Sequence, residues 1–201
     1  MTQIAIIDYG LGNLRSVMRG LEKAGARTMI TGNAGDIAAA DALVLPGVGA
    51  FHEGMDQLGP LQGVITEAAR DVPLLGICLG MQMLMETSEE HGLHRGLGLI
   101  PGNVRRFPKT GGYKIPQMGW NSLELEQPDH PLLAGIRPGE YMYFVHSYYA
   151  DTVPAHALAS TDYICRFSSI VGNGNASGVQ FHPEKSGAAG LRMLKNFIGM
   201  I

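Results

Sequence analysis

The sequence predicts an α/β fold built on a flavodoxin-like, doubly wound and mostly parallel sheet with added antiparallel strands. Three observations point there. Short apolar strand-like runs alternate with helical segments through the first half of the chain. One of them, Val72 to Ile77, ends abruptly in Cys78, with Gly76 and Gly80 two residues to either side. The last segment returns to strand, turn and helix. At 201 residues, with no linker, charge run, low-complexity tract or repeat, a single domain over 1–201 is expected.

Taken in order, Gln3 to Asp8 reads as a strand and Asn13 to Ala24 as an amphipathic helix, with Asp8 a turn and helix-start residue. Arg27 to Ile30 is a second strand and Asn33 to Ala40 a short helix. Ala42 to Leu45 is a third strand, and Met55 to Arg70 a helix. The strand ending at Cys78 follows, then a helix-compatible segment from Met81 to Glu90. Met81, Met83 and Met85 do not share one helix face, so they read as filling of a largely buried helix. After Leu97 the texture changes. Pro and Gly become frequent, and aromatic strands such as Tyr141 to Tyr149 suggest antiparallel strands or hairpins laid against the main sheet. Gly178 to His182 is the final strand and Ala188 to Ile198 the final helix. Cys165, in the strand-like YICRF, reads as structural.

Composition narrows the function class. A net charge of −3 argues against a nucleic-acid binder, and the apolar fraction of 45% is that of an ordinary globular protein. No run of about 18 apolar residues is present to span a membrane. MTQIAIIDYG lacks the basic start of a secretory signal and reads as the first strand. The two cysteines are therefore expected to be reduced, and the chain to be a cytoplasmic enzyme.

The chemistry centres on Cys78. Strand, glycine-framed nucleophile and helix in immediate succession match a nucleophile elbow with Cys in place of Ser. The glycines relieve backbone crowding in the sharp turn. The turn aims the following N–H at the place where negative charge would develop. A thiol of ordinary pKa needs a base, and the base needs an orienting group. Of seven histidines, His182 stands out. It closes the apolar run GVQF and is followed by Pro183 and Glu184. Residues i and i+2 of an extended segment point to one side, so Glu184 can face His182 and hold its tautomer. Each piece alone has a plainer reading: a buried small hydrophobe for the cysteine, a surface turn for His-Pro-Glu. Together they favour a cysteine hydrolase or acyl transferase.

GICLGMQ, FVHSYY and GVQFHPEKS together resemble a class I, triad-type glutamine amidotransferase domain. DYGLGNLRSV (Asp8 to Val17), LPGVGAF (Leu45 to Phe51) and PQMGWN (Pro116 to Asn121) narrow the likeness to the glutaminase subunits of imidazole glycerol phosphate synthases. The resemblance implies that Cys78 attacks the side-chain amide of L-glutamine, with His182 as base and acid and Glu184 as orienter. It places the oxyanion hole at the backbone N–H groups of Val48 and Leu79, with Gly47 and Gly49 leaving that peptide free to rotate. Gln82, Glu90, Ser147 and Tyr148 fall where the family holds the amino-acid end of glutamine. Gln117, Met118, Trp120, Asn121, Tyr143 and Lys185 are implied at a docking face. Gln117 stands where many relatives carry His.

The implied partner is a (β/α)8 cyclase subunit that receives ammonia through its barrel, for imidazole glycerol phosphate and AICAR formation in histidine biosynthesis. The residues also call for another chain. Ammonia made at a buried thiol is useful only near an acceptor, and the sequence holds no Walker A loop and no complete G-x-G-x-x-G. No cofactor is expected, and no metal: His91 and His94, i and i+3 beside Glu89 and Glu90, lack a third placed ligand and read as a polar helix end. The alternatives are a stand-alone γ-glutamyl cysteine hydrolase, the glutaminase of another amidotransferase, or a binding subunit without catalysis. The intact Cys78, His182 and Glu184 argue against the last.

Overall fold

A computed structural model of the chain describes residues 3–201. The first half alternates as the apolar periodicity predicts. The order is β1 (Gln3–Ile7), α1 (Leu14–Ala24), β2 (Arg27–Thr31), α2 (Ala34–Ala38), β3 (Ala42–Gly47), α3 (Phe51–Leu58), α4 (Gln62–Ala68), β4 (Leu74–Cys78) and α5 (Leu79–Met83). Strands β5 (Met85–Ser88), β6 (His94–Arg95), β7 (Ile100–Arg106), β8 (Gln117–Ser122) and β9 (Glu124–Leu125) follow. Then come β10 (Tyr141–His146), β11 (Tyr148–Asp151), β12 (Ala157–Asp162), β13 (Arg166–Asn173), β14 (Ala176–Val179) and α6 (Gly187–Ile198).

The described residues form a twelve-stranded sheet with a parallel block in the order β2-β1-β3-β4-β14. This is the doubly wound order, with β14 as the fifth strand. Period-2 alternation on β1 explains the two layers. Ile4 and Ile6 pack with Val17 and Leu21 of α1 and with Leu194 and Phe197 of α6. Ala5 and Ile7 pack on the other face with Phe51, Leu58 and Ile65. Each fully buried Phe or Ile contributes about 1.5–3 kcal/mol, so these two faces hold the parallel block together. Helix α1 stops at Gly25, whose φ of 105° is the left-handed cap that leaves its N–H to the Glu22 carbonyl.

Three expectations are corrected. The segment from Met81 to Glu90 is not one helix: α5 ends at Met83, and Met85–Ser88 is β5, parallel to β7 and antiparallel to β6. Long-range hydrogen bonds from Leu97 to the Met83 carbonyl and from Leu99 to the Leu84 carbonyl take the acceptors a longer helix would use. The antiparallel strands mostly do not lie against the main sheet but extend it, through β13 beside β14 and then β11, β7 and β5; only β8 and β10 form a separate two-stranded ribbon. Residues Tyr163 to Cys165 form the turn between β12 and β13 rather than a strand, and Cys165 is half-buried and free.

Candidate active site

Strand β4 runs straight into α5 at Cys78, whose φ of 56° lies in the left-handed region that a side chain adopts only at a cost. The neighbouring glycines allow the turn. A Cβ on Gly80 would overlap the Leu45 carbonyl oxygen, and one on Gly76 would stand 2.7 Å from the Met81 nitrogen. The sulfur lies at the C-terminal end of the parallel block, where such sheets place their sites.

Cys78 and His182 open onto one cavity of about 330 Å3, together with Val48, Gly49, Leu79, Gln82, Glu90, Pro116, Val145, His146, Ser147 and Tyr148. His182 faces the same cavity as Cys78 and pairs through Nδ1 with Glu184 Oε1 at 3.0 Å. The Glu184 side chain is 1% exposed, so this carboxylate has little solvent to compete with the imidazole. Burial by itself would lower the His182 pKa. The hydrogen bonds and charges of Cys78 and Glu184 outweigh it and raise the value to about 9.

The wall that faces the elbow is a chain of amides. Gln82 Nε2 donates to the Tyr148 carbonyl at 2.9 Å and to Gln180 Oε1 at 3.0 Å, and Gln180 Nε2 reaches Cys78 Sγ at 3.8 Å. His146 Nδ1 meets the same Tyr148 carbonyl at 2.7 Å, so that nitrogen carries the hydrogen. Burial drives the His146 pKa down to about 4, the His182 charge adding to the effect against the Tyr148 bond. Glu90 is on the turn after β5, and its Oε2 accepts the Phe51 N–H at 2.6 Å. Tyr9, from the DYG block, donates its buried hydroxyl to the Pro46 carbonyl at 2.9 Å, which latches the base of the Val48 turn. Burial holds its pKa well above the ordinary tyrosine value.

Gly47 is expected with the substrate residues but does not line the cavity. It pairs with Cys78 across β3 and β4, where a Cβ would stand 2.6 Å from the Tyr9 hydroxyl. Gln117, expected on the docking face, points inward and is fully buried, donating to Asn121 Oδ1 at 2.8 Å. Alternation on β8 is the reason: Met118 (66% exposed) and Trp120 (53%) face out, so Gln117 and Asn121 face in. Tyr143 packs edge-on against Trp120, and Lys185 is exposed nearby in sequence to the triad. Sequence reasoning missed Tyr141, exposed on the same face as Tyr143, as well as His146 and Gln180. Gln180 lies two residues before His182, so the period-2 argument that found Glu184 could have found it.

His94 is in β6 stacked on His52, with ring centroids 4.5 Å apart, and His91 sits in a turn, so the two do not form a helix end. Among the described residues no three His, Cys, Asp or Glu side chains are arranged to hold a metal, and no helix is long and apolar enough to cross a membrane. A second cavity, about 390 Å3, opens beside Glu184 between Gly20, Lys23, Ala188 and Leu191. Its lining includes no cysteine, serine or threonine, whereas the smaller cavity at Cys78 holds a thiol beside an imidazole, the pair suited to covalent chemistry.

Comparison with known proteins gives the same reading. The family profile for glutamine amidotransferase class-I matches residues 5–200. A relative from Methanosarcina acetivorans, imidazole glycerol phosphate synthase subunit HisH, is 56% identical over 203 residues, covering 100% of both chains. The subunit of that name from Halobacterium salinarum is 56% identical, covering 97% of this chain and 92% of its own. Among solved structures, the glutaminase domain of Trypanosoma brucei CTPS with bound acivicin superimposes with a TM-score of 0.73 at 17% identity, covering 100% of this chain and 93% of that one. PurLQS from Thermotoga maritima gives a TM-score of 0.74 at 19% identity, covering 98% of each chain, and supports the fold alone. With a profile spanning nearly every residue and relatives more than half identical over their whole length, the chain belongs to the class-I glutamine amidotransferases, among the HisH subunits of imidazole glycerol phosphate synthase.

Proposed function

We propose that the chain hydrolyses glutamine to glutamate and ammonia through Cys78, His182 and Glu184, and passes the ammonia to a cyclase subunit. The observation that carries the reading is the buried His182–Glu184 pair, 3.0 Å, facing a cysteine held at φ 56°. Cys78 gives its thiol proton to His182 as Sγ attacks the side-chain amide carbon. The C–N bond breaks as His182 gives its proton to the leaving nitrogen, and ammonia departs from a γ-glutamyl thioester. His182, now neutral, takes a proton from water. The hydroxide formed at that moment attacks the thioester carbonyl, the C–S bond breaks, and glutamate leaves. The N–H groups of Leu79 and Val48 serve the oxyanion, and Gly47, which begins the peptide carrying the Val48 N–H, leaves that peptide free to turn towards it. Glu90 receives the substrate ammonium group, while Gln82 and the Ser147–Tyr148 segment hold the rest of the amino-acid end.

The acceptor for ammonia belongs to a second chain, a (β/α)8 cyclase, docked on Met118, Trp120, Tyr141 and Tyr143 of the β8–β10 ribbon with Lys185 beside them. A large exposed Trp amid apolar and aromatic neighbours is the usual anchor of such an interface. The test is Cys78→Ala in the assembled complex. Glutamine-dependent synthesis should vanish while synthesis from added ammonium salt persists. Loss of both, or of neither, refutes this division of labour.

A further inference from the structure

Ser186 is 2% exposed and does not line the substrate cavity, yet its hydroxyl is fully engaged. Oγ accepts the Tyr143 N–H at 3.0 Å and donates to the His182 carbonyl at 2.6 Å. The His182 N–H in turn donates to the Tyr143 carbonyl at 2.9 Å. These three bonds close a ring between β10 and the loop that carries the triad histidine. Strand geometry explains why Tyr143 is the contact. Along an antiparallel pair, alternate residues turn both backbone groups towards the partner strand or away from it. Tyr143, opposite Trp120, turns its N–H and C=O away from β8 and onto the His182 loop.

The other half of the same residue faces outward. The Tyr143 ring meets Trp120 edge-on, 5.9 Å between centroids, on the face where Met118 and Tyr141 are exposed. One residue thus holds His182 by its backbone and contributes to the aromatic face by its side chain. We propose that Ser186 is a positioning residue that couples occupancy of this aromatic face to the placement of His182. Docking of the partner steadies β10, and the Tyr143–Ser186–His182 ring passes that constraint to both backbone groups of His182. A hydrogen bond weakens steeply once distance or angle departs from its narrow range, so a small shift of β10 is enough to misalign the imidazole. The inference rests on the partner reading given above.

The test measures glutaminase kinetics of the full chain alone and with the cyclase subunit, for the wild type, Ser186→Ala and Ser186→Thr. In Ser186→Ala the partner-stimulated kcat should fall about tenfold at nearly constant KM, the effect of losing one buried hydrogen bond that acts on the transition state. The ratio of stimulated to unstimulated rate should fall with it, and Ser186→Thr, which keeps the hydroxyl, should recover most of both. A Ser186→Ala enzyme stimulated as strongly as wild type overturns the proposal. So does an equal proportional loss with and without partner, which marks the residue as merely structural. If the wild type itself is not stimulated by the cyclase, the partner reading fails first and the coupling falls with it. Should Ser186→Ala not fold, amide hydrogen exchange in the wild type decides: the Tyr143 and His182 amides should exchange more slowly in the complex, and unchanged rates overturn the proposal.

Discussion

Glu90 Oε2 accepts the Phe51 N–H at 2.6 Å, tying a cavity-lining carboxylate to the first residue of α3, just beyond the Val48–Gly49 turn. The carboxylate proposed to receive the substrate ammonium group therefore also anchors the segment that supplies an oxyanion donor. Glu90→Gln keeps an acceptor for Phe51 but loses the charge, and its main effect should be a higher KM. Glu90→Ala loses both and should lower kcat/KM by about 10–100-fold, with kcat falling as well. Steady-state kinetics separate them, and identical kcat values in the two variants would show that the Phe51 bond contributes nothing.

The raised His182 pKa, about 9, depends on Cys78 and on Glu184. Removing the Glu184 charge lowers it, so Glu184→Gln should move the alkaline limb of the glutaminase profile to lower pH and reduce kcat at least about tenfold. The stability sign follows from the same shift. The folded value lies above the unfolded value near 6.5, so the contribution is complete below pH 6.5 and is lost as pH rises through about 9. Unfolding titrations between those limits should show a shallower alkaline loss in Glu184→Gln than in wild type.

His146 moves the other way. Its folded pKa of about 4 lies below the unfolded 6.5, so the unfolded chain binds the extra proton in that interval and stability falls as pH drops from 6.5 to 4. His146→Asn, which retains an amide donor towards the Tyr148 carbonyl, should flatten this acid decline while lowering stability at neutral pH through lost packing. Urea unfolding of both proteins across that range is the measurement, and parallel curves would exclude His146 as the group responsible.

Gly80→Ala and Gly63→Ala make a matched pair. A Cβ on Gly80 overlaps the Leu45 carbonyl, so the substitution should cost at least about 3 kcal/mol and dismantle the elbow. Gly63 lies in α4 with nothing within 4 Å of an added Cβ, so alanine there should stabilise by about 0.5–1 kcal/mol. Denaturant midpoints report both, and a neutral Gly80→Ala would show that α5 can shift away from β3.

The parallel block was legible because its strands carry their own signal: short apolar runs broken by helices at fixed spacing. The ends of elements were less so. Met85–Ser88 has the composition of a helix continuing from α5, and only pairing with Ile100–Val104 makes it a strand. The ribbon was harder still, since Gln117 and Trp120 sit in one motif and nothing local says which of them is turned inward.

The sequence by itself picked out Cys78, His182 and Glu184, the residues proposed as nucleophile, base and orienter. Each is defined by a local pattern, glycines two residues to either side of Cys78 and Glu184 two residues after His182, that leaves the backbone few alternatives. Only the tertiary structure decided which distant groups these and the other cavity residues bond to. Gln82 meets Gln180 across 98 residues of chain, and Glu90 meets Phe51 across 39. Such contacts depend on which distant segment arrives with a donor or acceptor unspent, and burial then obliges the two to pair. That is the physical reason the proposed triad can be read along the chain, while the groups that surround it must be read across the sheet.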